Sequence, residues 1–189
     1  MNGTSTPSTQ PAKYLFLDFD GVTHYAFPVA GVSDPDNAYF AFLPAIEAIL
    51  RSKPYPIQIV ISSSWRESHG LSALRAHFAS DLRDQVIGVT PEHNDGLMAG
   101  GRLGEILAWL DRHDPGAPWV AVDDLTNLFA VDEERAGERG MDARKLSMSV
   151  ALVHCEREFF DEQAAADLQQ ALDDPKTWAR YHPVPVVED

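Results

Sequence analysis

Short apolar runs alternate along the chain with longer segments in which apolar residues recur every three or four positions. The short runs predict buried strands at residues 14–19, 57–61, 86–89, 119–122 and 150–153. The longer segments predict helices at residues 43–52, 66–78, 102–112 and 159–172. Because strands and helices alternate, we expect a three-layer, doubly wound (Rossmann-like) α/β fold, in which a parallel sheet carries helices on both faces.

The chain of 189 residues is long enough for one well-buried domain and short for two. We place that domain at residues 13–175. The polar segment 1–12 is predicted to be a disordered N-terminal tail, and residues 176–189 an irregular C-terminal tail. A glycine-rich turn is predicted before the helix at 102–112, and a charged loop at residues 132–145.

Polar side chains directly follow three of the predicted strands. The carboxyl ends of parallel strands share one edge of an open sheet, and ligands bind at that edge. We therefore expect these side chains to lie close together. They are Asp18 and Asp20 after the first strand, Ser62, Ser63 and Ser64 after the second, and Asp123 and Asp124 after the fourth.

Several carboxylates that converge on one point cannot all remain ionised without a cation. Oxygen ligands with no histidine or cysteine set nearby favour Mg²⁺ over zinc. A magnesium site beside hydroxyl groups and a basic side chain is suited to a phosphoryl group. Taken singly, each of these aspartates and serines is more typical of a helix or turn cap than of a metal site, so the prediction depends on the joint pattern.

The formal net charge is −14, from 15 Lys and Arg against 29 Asp and Glu. Such a surface argues against non-specific nucleic-acid binding. The single cysteine, Cys155, excludes an internal disulfide, and we expect no disulfide-linked partner. No apolar run approaches the roughly 18 residues of a membrane span, and the N-terminus lacks a signal-peptide pattern. We expect a soluble, cytoplasmic protein with no membrane partner.

The segment LFLDFDGV resembles the first motif of the haloacid dehalogenase (HAD) superfamily, Asp-x-Asp-Gly-[Thr/Val]. The other motifs follow in the order of that superfamily: ISSSW after the second strand, Arg102 at a helix start, and VDD after a later strand. The segments SSSWR, GRLGEILAWL and WVAVDD are similar to the HAD domain of Swiss-army-knife RNA repair proteins. The resemblance covers residues 14 to about 172.

The resemblance implies a Mg²⁺-dependent phosphohydrolase. Asp18 would be the nucleophile that forms an aspartyl-phosphate. Asp20 would be the general acid that protonates the leaving oxygen and then the base that activates water, and its backbone carbonyl would bind Mg²⁺. Gly21 would let the chain turn away with no side chain over the phosphate.

In the same way, Ser63 would hydrogen-bond the phosphoryl oxygens, with Ser62 and Ser64 as alternatives. Arg102 would fill a basic position that is more often lysine in the superfamily, and a helix-surface arginine is the alternative. Asp124 would be a direct metal ligand, and Asp123 a supporting or water-mediated one.

Neither gap between the motifs leaves room for a large cap domain, so we expect an open site. Such a site suits a bulky phosphorylated substrate, such as a nucleic-acid end or another large partner, although the net charge argues against nucleic acid. Three other residues draw attention. His24 is predicted to be an exposed loop histidine, with a substrate contact as the alternative. Trp65 and Arg66 are candidates to stack on or pair with a substrate, and Trp65 is explained equally well by packing in the core. The alternative functions are a receiver-like phosphoryl-accepting module and a non-catalytic domain that binds Mg²⁺ and a partner.

Overall fold

The computed structural model describes residues 13–32, 38–92, 101–138, 152–157, 159–173 and 179–180. Its strands are β1 (Tyr14–Leu17), β2 (Gln58–Ile61), β3 (Val86–Val89), β4 (Pro118–Asp123), β5 (Leu152–His154) and β6 (Ala179–Arg180). Its helices are α1 (Leu43–Arg51), α2 (Leu71–Ala76), α3 (Gly101–His113), α4 (Glu133–Glu138) and α5 (Glu162–Asp173). Short 3₁₀ turns occupy Ser64–Glu67, Arg83–Gln85 and Thr126–Phe129.

Five strands form a parallel sheet in the order β3-β2-β1-β4-β5. The short strand β6 pairs antiparallel with the beginning of β4, within the segment predicted to be an irregular tail. The chain winds outward from β1 to β3 and then crosses to the other side of β1 to form β4. The boundary between β1 and β4 is therefore the topological switch point, where open α/β sheets bind ligands.

The sheet carries a core on each face, as the three-layer prediction requires. Alternate residues of β1 point to opposite faces, so that Leu15 and Leu17 join one core and Phe16 joins the other. Apolar side chains of α1, α2 and α5 cover the first face, and those of α3 cover the second. This arrangement confirms the predicted fold class.

The segment 66–78, predicted as one helix, is divided into the 3₁₀ turn Ser64–Glu67 and helix α2. The division falls at Gly70, whose backbone is extended (φ −68°, ψ 154°). Glycine weakens a helix because it gives up more conformational freedom than other residues. The separate turn matters for the site, because it presents Trp65 and Arg66.

Other boundaries also differ from the predictions. Helix α4 forms inside the predicted charged loop. Helix α5 begins at Glu162, later than predicted, and Asp161 caps it by accepting a hydrogen bond from the backbone N–H of Ala164. Residues 150–151 of the fifth predicted strand, and Gly96 and Gly100 of the glycine-rich turn, lie outside the described residues. None of the helices in the described segments is long and apolar enough to cross a membrane.

Candidate active site

Three carboxylates meet where β1 and β4 end. The two strands pair in parallel with Leu17 opposite Val122, so the residues that follow them leave the sheet side by side. Asp18 follows β1, Asp123 ends β4, and Asp124 comes next. One oxygen of each carboxylate lies within 4.8 Å of the others. The sheet register thus brings together the acidic residues that the sequence placed at two separate strand ends.

A buried arginine on α3 faces these carboxylates. Arg102 lies in the first turn of the helix, and its side chain is 8% exposed. Its Nε donates a hydrogen bond to Oδ2 of Asp123 at 3.0 Å, and its Nη2 lies 3.5 Å from Oδ2 of Asp18. This placement rules out the alternative of a helix-surface arginine and leaves Arg102 at the carboxylate cluster.

The cluster holds more negative charge than Arg102 balances. Burial raises the pKa of Asp18 to about 7 and that of Asp123 to about 6, although the nearby Arg102 opposes both shifts. Asp123 further raises the pKa of Asp18, and Asp124 that of Asp123, because like charges repel. A cation at this point would relieve the repulsion.

The donor set fits Mg²⁺. All three groups are carboxylates, the hard oxygen ligands that Mg²⁺ prefers. Mg²⁺ binds oxygen at roughly 2.1 Å, so its ligand atoms lie at most about 4.2 Å apart. The observed limit of 4.8 Å therefore requires only small side-chain adjustments. Asp123 already uses one oxygen for Arg102 and the other for the backbone N–H of Leu125, which suits a supporting position.

Gly21 allows the close approach of Asp124. Its φ is +69°, a conformation that residues with a side chain rarely adopt. A Cβ atom at this position would overlap the carboxylate of Asp124. The glycine is thus required here both by the turn after β1 and by the acidic side chain packed against it.

The three serines after β2 have different environments. Ser63 is fully buried, hydrogen-bonds Asp18 and accepts a hydrogen bond from the backbone N–H of Trp65 at 3.4 Å. Ser62 is also buried, and its backbone N–H donates to the carbonyl of Leu17. Ser64 is exposed. Of the three hydroxyl groups, that of Ser63 is the one hydrogen-bonded to Asp18.

Asp20 lies in different surroundings from Asp18. Its side chain is 40% exposed. The indole Nε1–H of Trp65 lies 3.0 Å from both carboxylate oxygens, and Nε2 of His24 lies 3.0 Å from Oδ1. Trp65 therefore both packs against the core and contacts a candidate catalytic residue.

The prediction that His24 is exposed is wrong, since the residue is only 2% exposed. The rings of Tyr39, Phe40 and Trp65 all lie within 6 Å of its own, and these rings come from distant parts of the sequence. Burial lowers the pKa of His24, and Asp20 acts in the opposite direction.

Two further residues, Arg66 and Glu105, extend the site, and Glu105 was not predicted to belong to it. Arg66 donates from Nη1 to the carbonyl oxygens of Ser62 and Ser63, and from Nη2 to Glu105 at 2.5 Å. Glu105 also lies 3.7 Å from Arg102. In the sequence, the contact between Arg102 and Glu105 is indicated only by their spacing of three residues, which places the two side chains on one helix face.

The fold and this cluster define a class of protein. Carboxylates after the first and fourth strands, a hydroxyl after the second and a basic residue at the start of a helix, all on a doubly wound sheet, are the arrangement of a HAD-type domain. Residues 14–158 match the family described as the HAD domain in Swiss Army Knife RNA repair proteins, and the chain belongs to this family. No match was found among curated proteins or among solved structures.

Family membership confirms the resemblance found in the sequence. Together with the cluster of aspartates, it favours a hydrolase of the phosphohydrolase type. The individual roles assigned to the site residues stay predictions.

Proposed function

We propose that this protein is a Mg²⁺-dependent phosphatase that works through an aspartyl-phosphate on Asp18. The observation that carries the proposal is the cluster of Asp18, Asp123 and Asp124 around the buried Arg102. A nucleophilic carboxylate beside a cation site and a second carboxylate beside proton donors are the two requirements of this chemistry.

Asp18 and Asp124, with the backbone carbonyl of Asp20, would hold the Mg²⁺ ion, and Asp123 would support it. When bound, Mg²⁺ neutralises charge on the phosphoryl oxygens and on Asp18, so that an anionic nucleophile can approach an anionic substrate. Arg102 contributes fixed positive charge on the side of Asp123. An arginine can also bind phosphate through two parallel hydrogen bonds.

In the first step, a carboxylate oxygen of Asp18 attacks the phosphorus atom and forms a new O–P bond. The bond to the leaving oxygen breaks, and its electron pair goes to that oxygen, which takes a proton from Asp20. Ser63, already hydrogen-bonded to Asp18, would donate to the phosphoryl oxygens, while Ser62 and Ser64 remain alternatives for this role.

In the second step, Asp20 accepts a proton from a water molecule as that water attacks the phosphorus atom. The bond between Asp18 and phosphorus then breaks, and its electron pair returns to the Asp18 carboxylate. Inorganic phosphate leaves, and both aspartates return to their initial protonation states. The 40% exposure of Asp20 is consistent with access for the leaving group and for water.

We propose a bulky phosphomonoester as the substrate, such as a nucleic-acid end or another large partner. In the described residues of the two gaps between the motifs, 22–56 and 65–92, the chain forms only α1, α2, β3 and short turns, with no inserted domain that could close over a small substrate. The description of the family, which refers to RNA repair, supports a nucleic-acid end. The net charge of −14 opposes it.

The test is hydrolysis of p-nitrophenyl phosphate by the purified protein with Mg²⁺, with EDTA, and by the Asp18→Asn variant with Mg²⁺. We expect phosphate release only from the unmodified protein with Mg²⁺. Oligonucleotides with 5′- and 3′-phosphates, assayed under the same conditions, then test the substrate class. Binding of Mg²⁺ without hydrolysis of any of these esters would favour the non-catalytic alternative.

A further inference from the structure

We propose that Thr23, His24 and Trp65 form a positioning group that holds the Asp20 carboxyl group in the orientation needed to protonate the leaving oxygen. This inference rests on the proposed function, in which Asp20 is the general acid. None of the three residues would touch the reacting atoms. Their effect would be exerted through Asp20.

The hydrogen-bond network assigns the tautomer of His24. The Thr23 hydroxyl donates to the backbone carbonyl of Phe19 at 3.0 Å, and this uses its only proton. The same hydroxyl oxygen lies 3.0 Å from Nδ1 of His24. It must therefore accept there, so that Nδ1 carries a proton.

With Nδ1 protonated, Nε2 is the atom that meets Asp20. It lies 3.0 Å from Oδ1. For Asp20 to act as the acid, Nε2 donates its proton to Oδ1, and Oδ2 carries the proton that goes to the leaving oxygen. Thr23 thus fixes the ring of His24 from one side, and the ring fixes Oδ1 from the other. A hydrogen-bond partner on the other ring nitrogen of a histidine sets the orientation of the ring as well as its tautomer.

Trp65 holds the same carboxyl group from a second direction. Its indole Nε1–H is 3.0 Å from each oxygen of Asp20. The indole ring is itself fixed between Phe40, at 5.3 Å, and His69, which stacks on it at 5.2 Å. Rotation of the Asp20 side chain would break hydrogen bonds to two rings that cannot follow it.

The turn that carries Trp65 also reaches Asp18. The backbone N–H of Trp65 donates to the Ser63 hydroxyl, which is hydrogen-bonded to Asp18. One 3₁₀ turn therefore sets both the serine beside the nucleophile and the indole beside the general acid. This coupling explains why a tryptophan lies directly after the serines.

The first test distinguishes a positioning role from a purely structural one by comparing two esters that differ in their leaving group. Phenyl phosphate and p-nitrophenyl phosphate have similar shapes, but phenoxide is the more basic leaving group and depends more on general acid catalysis. For Trp65→Phe, which keeps the ring and removes the N–H, we expect kcat/KM to fall about tenfold or more with phenyl phosphate and less than about threefold with p-nitrophenyl phosphate.

His24→Leu should show the same selectivity, and His24→Gln, which keeps a hydrogen-bonding group, should recover part of the loss. The matched control is His77→Phe, since His77 stacks on Phe40 in the same ring cluster but has no contact with Asp20. We expect the control variant to change kcat/KM by the same factor for both substrates. Equal losses on the two esters in Trp65→Phe, or no loss on either, would overturn the proposal.

The second test does not depend on activity. Nitrogen-15 NMR of the imidazole rings reports which nitrogen of His24 is protonated, and it can be recorded on the protein without Mg²⁺. We expect a proton on Nδ1, and loss of that preference in Thr23→Val. A His24 ring protonated on Nε2 alone would overturn the proposal even if the phosphatase activity is confirmed. If Nδ1 is protonated but no ester is hydrolysed, it is the proposed function that fails.

Discussion

Asp18 and Asp20 are two residues apart, yet they lie in opposite kinds of environment. The side chain of Asp18 is 6% exposed and is surrounded by charged groups: one arginine and two further aspartates. Asp20 is 40% exposed and is hydrogen-bonded by the rings of His24 and Trp65. The first environment favours a bound cation, which would keep Asp18 ionised, whereas the second supplies hydrogen bonds that orient a carboxyl group. One strand end thus provides two carboxyl groups suited to different tasks.

The largest expected effect comes from removing the nucleophile. Asp18→Asn should reduce kcat/KM on the order of 10⁴-fold on every ester, because no carboxylate remains to form the O–P bond. Asp20→Asn should instead give losses that grow with the basicity of the leaving group. A leaving-group series measured on both variants checks this contrast. Equal profiles for the two variants would mean that the aspartates are not divided in their roles.

The next effect concerns the turn that separates the two environments. Gly21→Ala should destabilise the protein and weaken Mg²⁺ binding, because its Cβ would overlap Asp124 and its φ is +69°. Gly31→Ala is the matched control, since Gly31 has φ +83° but open space around the position of a Cβ.

We expect the control to lose only the conformational cost, about 1–2 kcal/mol of unfolding free energy, with unchanged Mg²⁺ affinity. The Gly21 variant should lose more than this in the same denaturant titrations. Equal losses in the two variants, with equal Mg²⁺ affinity by calorimetry, would show that Asp124 does not need the space above Gly21.

Much of the Asp18 side of the site was accessible from the sequence, because strand ends determine it. Asp18, Ser63 and Asp123 directly follow or end apolar runs, and parallel pairing brings such positions to one edge of the sheet. Arg102 was found as a basic residue at a helix start. The alternation of predicted strands and helices was also sufficient to predict the three-layer fold.

The Asp20 side was not accessible in the same way. The burial of His24 depends on rings at positions 39, 40 and 65, which no local pattern associates with it. The salt bridge between Arg66 and Glu105 joins residues 39 apart in the chain. The helix predicted at 66–78 obscured the turn that presents Trp65, since it was extended back from the apolar positions that begin at Leu71, through Gly70, to Arg66. These features arise from tertiary packing rather than from periodicity.

A smaller effect distinguishes the serines. Ser63→Ala should lower kcat/KM by about tenfold to a hundredfold, because the hydroxyl beside Asp18 disappears and one hydrogen bond to a charged group is worth roughly 1.5–3 kcal/mol. Ser64→Ala should change it less than about twofold, since Ser64 is exposed. Steady-state kinetics with p-nitrophenyl phosphate compare the two variants. The reverse order would move the phosphate-binding hydroxyl to Ser64.

The smallest effect is a pH dependence of stability that arises on the Asp18 side. The folded protein raises the pKa of Asp18 from 3.8 to about 7, so it binds this proton more tightly than the unfolded chain. The resulting stabilisation is complete below about pH 4 and is lost as the pH rises to 7. The side chain of the Asp18→Asn variant cannot ionise, so the variant does not lose this stabilisation as the pH rises.

In EDTA, the melting temperature of Asp18→Asn should therefore rise relative to that of the unmodified protein between pH 5 and pH 7.5, by about 2–4 °C for each kcal/mol. Mg²⁺ should reverse this order at pH 7.5, because it stabilises the ionised carboxylates of the unmodified protein. Scanning calorimetry of both proteins checks the prediction. A difference that is independent of pH would mean that Asp18 is ionised in the folded protein without the metal.

The proposed mechanism requires that Asp18 becomes phosphorylated, and this intermediate can be trapped chemically. The protein is mixed with p-nitrophenyl phosphate and Mg²⁺, quenched in acid within one turnover, treated with borohydride and digested for mass spectrometry. Borohydride reduces an acyl phosphate to the alcohol, so we predict homoserine at position 18, with no conversion at Asp20 or in EDTA. Release of phosphate with an unmodified Asp18, or conversion at another aspartate, would show that Asp18 is not the nucleophile.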